Sequence, residues 1–138
     1  MSTRSRIAIA TTNGEQTIYK SIYCHLDGYP EGVGRTLELY YTTRKKIERL
    51  MKRGNLSVLK KKAGRNKRFW RLFFKDTSYG CKGNTSFAYR DRGDKHTDAI
   101  KAVGIDQLRQ QAQRCFAEYL YIWDDKRGWQ CEEVEWPD

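Results

Sequence analysis

An α+β domain is the fold class that the sequence predicts: an antiparallel sheet built from N- and C-terminal hairpins, with helices packed on one face. Three observations predict it. Apolar residues alternate near each end of the chain, turn residues separate the alternating runs, and helical apolar spacing lies between the two ends. The chain has 138 residues, 38% of them hydrophobic, which suffices for one core, and no linker or repeat divides it. We therefore expect a single domain over residues 1–138.

Each hairpin is predicted from a pair of alternating runs. Residues 5–11 carry Ile7 and Ile9 at alternate positions, Asn13-Gly14 supplies turn chemistry, and residues 17–24 alternate again. Near the other end, residues 119–123 and 129–136 flank the turn residues DDKRG. The two runs at each end are expected to pair as antiparallel strands.

Two short helices are expected after the first hairpin. The glycines and proline of residues 27–34 predict a loop, after which apolar residues recur at helical spacing from Val33 to Tyr41. Ile47 begins a second run of helical spacing, and Gly54 ends it. Short strands are expected at the aromatic run 69–74 and at residues 86–89.

A third helix is predicted from about Lys95. Asp94 or Thr97 supplies an N-cap residue, and Gly104 interrupts the helix. Its apolar face is expected to consist of Ile105, Leu108, Ala112, Cys115 and Phe116.

Composition argues against a membrane protein, an exported protein and a metalloprotein. No run approaches the eighteen or so apolar residues of a membrane span, and the opening residues hold too short an apolar run for a secretory signal. We expect no membrane association and a place in the cytoplasm. Cysteines at 24, 81, 115 and 131 are far apart, which predicts free thiols. A zinc site from Cys24, His25, Cys81 and His96 would lack the usual local spacing, so we expect no metal and no cofactor.

The positive charge is concentrated in one segment. The chain has 27 Lys and Arg against 17 Asp and Glu, a net charge of +10. Residues 44–75 hold 14 of the bases and one acid, Glu48, so this segment carries +13 and the remainder −3. Such a segment favours nucleic acid as a partner, because neutralising phosphates releases condensed counterions. The alternatives are a solvated face, a patch that pairs with the acidic C-terminus, and a surface that docks an acidic protein.

The candidate nucleic-acid contacts are cationic side chains of this segment: Arg44, Lys45, Lys46, Arg49, Lys52, Arg53, Lys60, Lys61, Lys62, Arg65, Lys67, Arg68 and Arg71. Phe69, Trp70, Phe73 and Phe74 lie among them, and an exposed ring can stack on a base while cations hold the phosphates. Binding is expected to be electrostatic. The sequence does not distinguish DNA from RNA and leaves the oligomeric state open.

A second candidate site is the loop CHLDGYPEGVG of residues 24–34. Its candidate residues are His25, Asp27, Tyr29, Glu31 and Arg35. An imidazole beside a carboxylate can act as an oriented general base, and backbone amides near Gly32 and Gly34 could hold a phosphate. No GxSxG, HExxH or Walker A pattern occurs, so we assign no catalytic residue. The alternatives are a sponge that sequesters a nucleotide signal or a small enzyme, and a loop whose polar groups bond neighbouring backbone.

One resemblance to known proteins rests on residues 1–7 (MSTRSRI) and 22–34 (IYCHLDGYPEGVG), and it continues through residues 87–93 and 119–123. In these segments the chain resembles a group of small proteins encoded by bacteriophages and prophages. Members of the group read S-R-S-x-I and then I-Y-C-H-W-D-G-Y-P-E-G-V-G. Leu26 stands where the group has Trp, and the cationic stretch at residues 60–68 is heavier here than in the group pattern.

This resemblance implies phage origin, an accessory role in the cytoplasm of the bacterial host, and no catalytic residue that can be carried over. Small phage proteins of this kind often act stoichiometrically on host machinery, including CRISPR and other defence systems. We therefore expect a non-enzymatic counter-defence inhibitor of the anti-CRISPR kind. Its expected partner is host nucleic acid or a host nucleoprotein complex.

Overall fold

The computed structural model describes residues 2–66 and 83–136. Within them the elements are β1 (Ser5–Asn13), β2 (Gln16–Cys24), a π-helical turn (Pro30–Gly34), α1 (Arg35–Tyr40), α2 (Arg44–Arg53), β3 (Leu56–Val58), β4 (Phe87–Ala88), a 3-10 turn (Tyr89–Arg92), β5 (Ile100–Val103), α3 (Ile105–Arg114), β6 (Tyr119–Asp124) and β7 (Gly128–Glu133). The α+β class and both terminal hairpins are confirmed. The aromatic run 69–74 lies outside the described residues.

The sheet is mostly antiparallel and has the strand order β4-β3-β2-β1-β6-β7, with β5 also paired to β2. Both hairpins are antiparallel, and they are joined through a parallel pairing of β1 with β6 in which Ile7 lies opposite Tyr121. A second parallel contact sets Cys24 of β2 opposite Leu56 of β3. The two ends of the chain therefore meet at the centre of the sheet.

Two apolar cores cover opposite faces of the sheet, because successive residues of β1 point to opposite sides. The larger core contains Ile7 and Ile9 with the buried side chains of α1 and α2. The smaller core contains Ala8 with Leu108 and Ala112 of α3. The predicted position of helices on one face is met by α1 and α2, whereas α3 lies on the other face.

The small residues of β1 explain why the packing of α3 on the second face of the sheet is difficult to predict from the sequence. Ala8 and Ala10 alternate with isoleucines and read as positions on a solvent-facing side, yet both are buried. Small side chains let α3 approach the sheet closely, and Ala102 and Ala112 supply the same small volume around Ala8. Both faces of β1 are therefore buried, one with isoleucines in the larger core and the other with Ala8 in the smaller core.

The helix predicted from Lys95 is wrong in its first half. Residues Ile100–Val103 form β5, which pairs antiparallel with β2 so that Ser21 lies opposite Ile100. Gly104 has φ +82°, outside helical geometry, and α3 begins only at Ile105. Leu108 and Ala112 are buried as predicted, but Phe116 has φ +60° and is 63% exposed, so it does not belong to the apolar face.

Among the described helices, none has the length and apolar character needed to cross a bilayer. The longest of them, α2 and α3, each have 10 residues. Both are amphipathic, and both bury one side against the sheet.

Two buried acidic protons predict a loss of stability at alkaline pH. Burial raises the pKa of the Tyr41 hydroxyl from 10.0 to about 12, and burial raises the pKa of the Cys24 thiol from 9.0 to about 12. Both groups stay neutral in the fold while the unfolded chain ionises near the ordinary values. Their contribution is therefore complete below about pH 9 and is lost as the pH rises towards 12. We expect urea unfolding to show a falling free energy of unfolding over this window.

A tyrosine pair provides the control for this alkaline effect. Tyr41 is 2% exposed and donates to the Lys60 carbonyl at 2.7 Å, whereas its neighbour Tyr40 is half-buried. Tyr41→Phe should make the decline shallower, and Tyr40→Phe should leave its slope closer to that of the parent. A stability that is flat across this pH window in the parent protein would contradict the burial argument.

Candidate nucleic-acid interface

Helix α2 presents cations because its apolar residues all face the sheet. Thr43 caps the helix by accepting from the Lys46 amide, and Gly54 ends it with φ +75°. Ile47, Leu50 and Met51 are buried in the larger core. The exposed side is left to Lys45, Lys46, Glu48, Arg49 and Lys52. Four of these five side chains are cationic.

Arg53 closes this helix as a buried structural residue and is not part of the exposed surface. Its side chain is 3% exposed and bonds both carboxylate oxygens of Asp91, at 2.7 and 2.5 Å. It also donates to the carbonyl oxygens of Ala63 and Ser86. The assignment of Arg53 to a nucleic-acid contact is therefore corrected, because its donors are used inside the fold.

The same arginine holds the next cationic segment against the end of α2. Residues 63–66 are fixed by the Arg53 donors, and Asn66 Nδ2 donates to the Lys52 carbonyl at 2.9 Å. Lys61 places its ammonium 5.3 Å from the ring centre of Tyr40, within the range of a cation–π contact. The segment that carries the exposed cations Lys61, Lys62 and Arg65 is thus packed against the end of α2.

We use the term basic surface for the exposed cations of these two segments. Its members are Lys45, Lys46, Arg49, Lys52, Lys61, Lys62 and Arg65. In the described part of the chain, none of them has a carboxylate within ion-pair distance. An unneutralised set of cations on one side of a protein creates the positive potential that attracts a polyanion.

The remaining predicted nucleic-acid contacts do not belong to the described basic surface. Arg44 pairs with Asp125 at 2.9 Å and with Glu48 at 3.5 Å, so its charge is neutralised at the tip of the C-terminal hairpin. Lys60 is half-buried. Lys67, Arg68 and Arg71 lie outside the described residues, as do the interleaved aromatic residues 69, 70, 73 and 74.

The glycine-rich loop has a packing role, and its two titratable residues have separate partners. His25 Nδ1 lies 2.8 Å from the Tyr23 hydroxyl, whereas the Asp27 carboxylate accepts from the Tyr29 hydroxyl at 3.4 Å. No His25–Asp27 hydrogen bond occurs among the described contacts. The hydroxyl of buried Tyr121 donates to the Gly28 carbonyl at 2.7 Å, which fastens the loop to β6.

The backbone amides of this loop are also used internally. Gly32 donates to the Tyr29 carbonyl and Val33 to the Asp27 carbonyl, at 2.9 and 2.8 Å. Gly28 lies so close to β1 that a side-chain carbon there would come within 2.7 Å of the Thr3 carbonyl oxygen. Glu31 and Arg35 are exposed at the surface. The interpretation of the loop as a bonded structural segment is therefore the one that the geometry favours.

An open groove of about 1260 Å³ lies between the tips of the two hairpins. The groove is lined by residues from β1, β2, both helical layers and the β6–β7 turn. Because these segments are far apart in the chain, no local sequence motif predicts the groove. Its charged lining residues are Arg44, Glu48, Arg109, Asp124, Asp125, Lys126, Arg127 and Glu132. Equal numbers of acids and bases leave it without the positive field that the basic surface has.

Tyr19 lies within the groove, among charges of both signs. Burial raises the pKa of its hydroxyl, as does Asp124, while Arg109 and Arg127 act in the opposite direction. Nothing in the sequence singles out Tyr19, because a tyrosine in an alternating strand has the pattern of an ordinary half-buried sheet residue.

Of the cysteines in the described residues, Cys24 is buried, Cys115 is partly buried and Cys131 is exposed, and all three are free thiols. Cys81 lies outside the described residues. Within the described ranges no three His, Cys, Asp or Glu side chains gather in a group that could hold a metal ion.

Comparisons of the chain with protein-family models, with curated proteins and with solved structures gave no match.

Proposed function

We propose that this protein is a non-enzymatic binding protein that engages nucleic acid, or a nucleoprotein complex, through the basic surface. One observation carries the proposal: seven exposed cations lie on α2 and on the segment packed against its end, without an acidic partner in the described residues. Phosphates are the anions best suited to such a surface, since their neutralisation releases counterions without any base-specific contact.

The resemblance to phage-encoded proteins gives this binding a biological setting. We propose that the protein acts in the cytoplasm of a bacterial host as a counter-defence inhibitor of the anti-CRISPR kind. Affinity pull-down from host lysate, with and without nuclease, tests this setting. Recovery of a nucleoprotein of a defence system supports it, and recovery of only unrelated acidic proteins contradicts it.

The salt dependence of binding tests the surface directly. Lys45, Arg49 and Lys52 follow one another at i, i+4 and i+7 along the exposed side of α2. Replacing all three with Gln should weaken binding to duplex DNA and to RNA in a fluorescence anisotropy assay. The slope of log affinity against log salt should become shallower by about 0.7–0.9 for each phosphate that the variant no longer neutralises.

A second triple variant removes the same charge from other parts of the molecule. Lys95, Arg114 and Lys126 are exposed and lie outside the basic surface. Changing them to Gln should leave the salt slope near the parent value. Equal slopes for the two triple variants, or no binding of the parent to either nucleic acid at low salt, would contradict the proposed interface.

A further inference from the structure

The edges of the sheet are unequally protected within the described residues. β4, at one side, has only two residues. The outer edge of β5 is covered by α3, because Gln111 Nε2 donates to the Lys101 carbonyl at 2.8 Å and Gln107 Oε1 accepts from the Val103 amide at 2.5 Å. Side chains that occupy edge groups in this way prevent another strand from pairing there.

Among the described residues, β7 is a long edge without such cover. The Val134 amide donates to the Glu118 carbonyl, and residues of an antiparallel ladder bond their partner at every second position. Gly128, Gln130 and Glu132 therefore bond to β6. The amides and carbonyls of Trp129, Cys131 and Glu133 point away from it, and no described contact reaches these backbone groups. Unpaired backbone of this kind is a template for another strand.

We propose that a second copy of this chain occupies this edge, with the two β7 strands antiparallel across a two-fold axis at Cys131. In that register Cys131 lies opposite its own copy and Trp129 opposite Glu133. All of these residues have outward-pointing backbone groups, so each pair exchanges two hydrogen bonds. An interface in which the same patch serves both subunits is the commonest form of homodimer.

The charges at the two ends of β7 favour a second copy over an unrelated peptide. Arg127 precedes the strand and Glu133 ends it, and both side chains are exposed without an ion-pair partner in the described residues. Antiparallel pairing brings Arg127 of one copy diagonally across from Glu133 of the other, within reach of long side chains. A uniformly basic or acidic strand would meet repulsion at one of the two ends.

Removing a single outward amide tests the pairing. Light scattering after size exclusion should give the parent protein about twice its monomer mass of 16.3 kDa. Cys131→Pro removes an amide that the β6 ladder does not use, and proline is tolerated on a strand edge. This variant should be a monomer that still unfolds cooperatively. Cys131→Ala, which keeps the amide and removes the thiol, should remain a dimer.

Charge exchange tests the register without altering the backbone. Arg127→Glu or Glu133→Arg alone sets like charges against each other, and each should raise the dimer dissociation constant about tenfold. The double variant should recover most of the affinity, because the pair is restored with its signs exchanged. Sedimentation velocity over a range of concentrations measures all three proteins.

A parent protein that is monomeric at about 100 μM would overturn the proposal. So would a Cys131→Pro variant that remains dimeric, or a double charge variant no tighter than the single ones. Binding of a lysine-rich extended peptide to a monomeric parent, abolished in Cys131→Pro, would assign the edge to a different partner and equally overturn it.

Discussion

Replacing Arg53 with Met should destabilise the protein by about 3–5 kcal/mol, a large share of the stability of a small domain. The guanidinium is buried and holds the Asp91 carboxylate in a two-point contact. It also satisfies the Ala63 and Ser86 carbonyls. Methionine keeps most of the side-chain volume. The decrease in stability therefore measures the cost of leaving the Asp91 carboxylate and the two carbonyl groups without the Arg53 hydrogen bonds.

Urea denaturation of two variants on the same helix separates this effect from a general effect of removing a cation. Arg49 is exposed and has no ion-pair partner in the described residues. Arg49→Met should change the free energy of unfolding by no more than about 0.5 kcal/mol. If the two variants lose similar stability, Arg53 does not organise the loop in the way the contacts indicate.

Arg53 also links folding to the basic surface. Its donors fix residues 63–66 at the end of α2, which sets the position of Arg65 relative to Lys52. A lysine there cannot reproduce the planar two-point contact with Asp91. We therefore expect Arg53→Lys to be less stable than the parent protein while its net charge is unchanged.

Gly54→Ala should be strongly destabilising. Gly54 has φ +75° and ψ −159°, and a side-chain carbon there would overlap the Thr97 carbonyl oxygen and approach Arg90 Nη2 at 3.1 Å. That carbonyl accepts from the Asn55 amide at 2.7 Å, so it cannot move away without breaking a hydrogen bond. Backbone strain and overlap therefore act together.

Gly104 is a close control for this substitution. Its φ of +82° and ψ of 162° resemble those of Gly54, but no atom lies within 4 Å of the position a side-chain carbon would take. Gly104→Ala should cost about 1–3 kcal/mol from backbone strain alone. Gly54→Ala should cost about 1–3 kcal/mol more, because of the overlap. Equal decreases in urea denaturation would show that the Thr97 contact is not rigid.

Residues 100–103 form the strand β5 and not the predicted helix, because pairing with a distant strand decides between two local patterns. Ile100 and Val103 are β-branched and suit a strand, yet the run from Lys95 onwards also offers capping residues and helical apolar spacing. Pairing with β2 decides between the two, because Ile100 lies opposite Ser21 and Val103 opposite Ile18. Such pairing joins residues about eighty positions apart, and a local pattern carries no information about it.

The basic surface shows the same difference between features that depend on local spacing and features that depend on distant partners. The helical spacing of Ile47, Leu50 and Met51 is enough to predict α2 itself, and a helix that buries these residues turns the cations between them outward. The same reasoning could not separate Arg53 from its exposed neighbours, since its partner Asp91 is 38 residues away. Nor could it show that Arg44 is neutralised by Asp125.

Local chemistry determined the terminal hairpins, the position of α2 and the concentration of positive charge, because each depends on residues close together in the chain, whereas the loop predicted at residues 27–34 contains a π-helical turn at Pro30–Gly34. Tertiary structure alone decided that the hairpins join through β1 and β6, that α3 covers the second face, and that β7 is an edge without a neighbouring strand among the described residues. It also decided which cations face solvent. These features depend on contacts between distant segments, whose free energy is gained only when the chain brings them together.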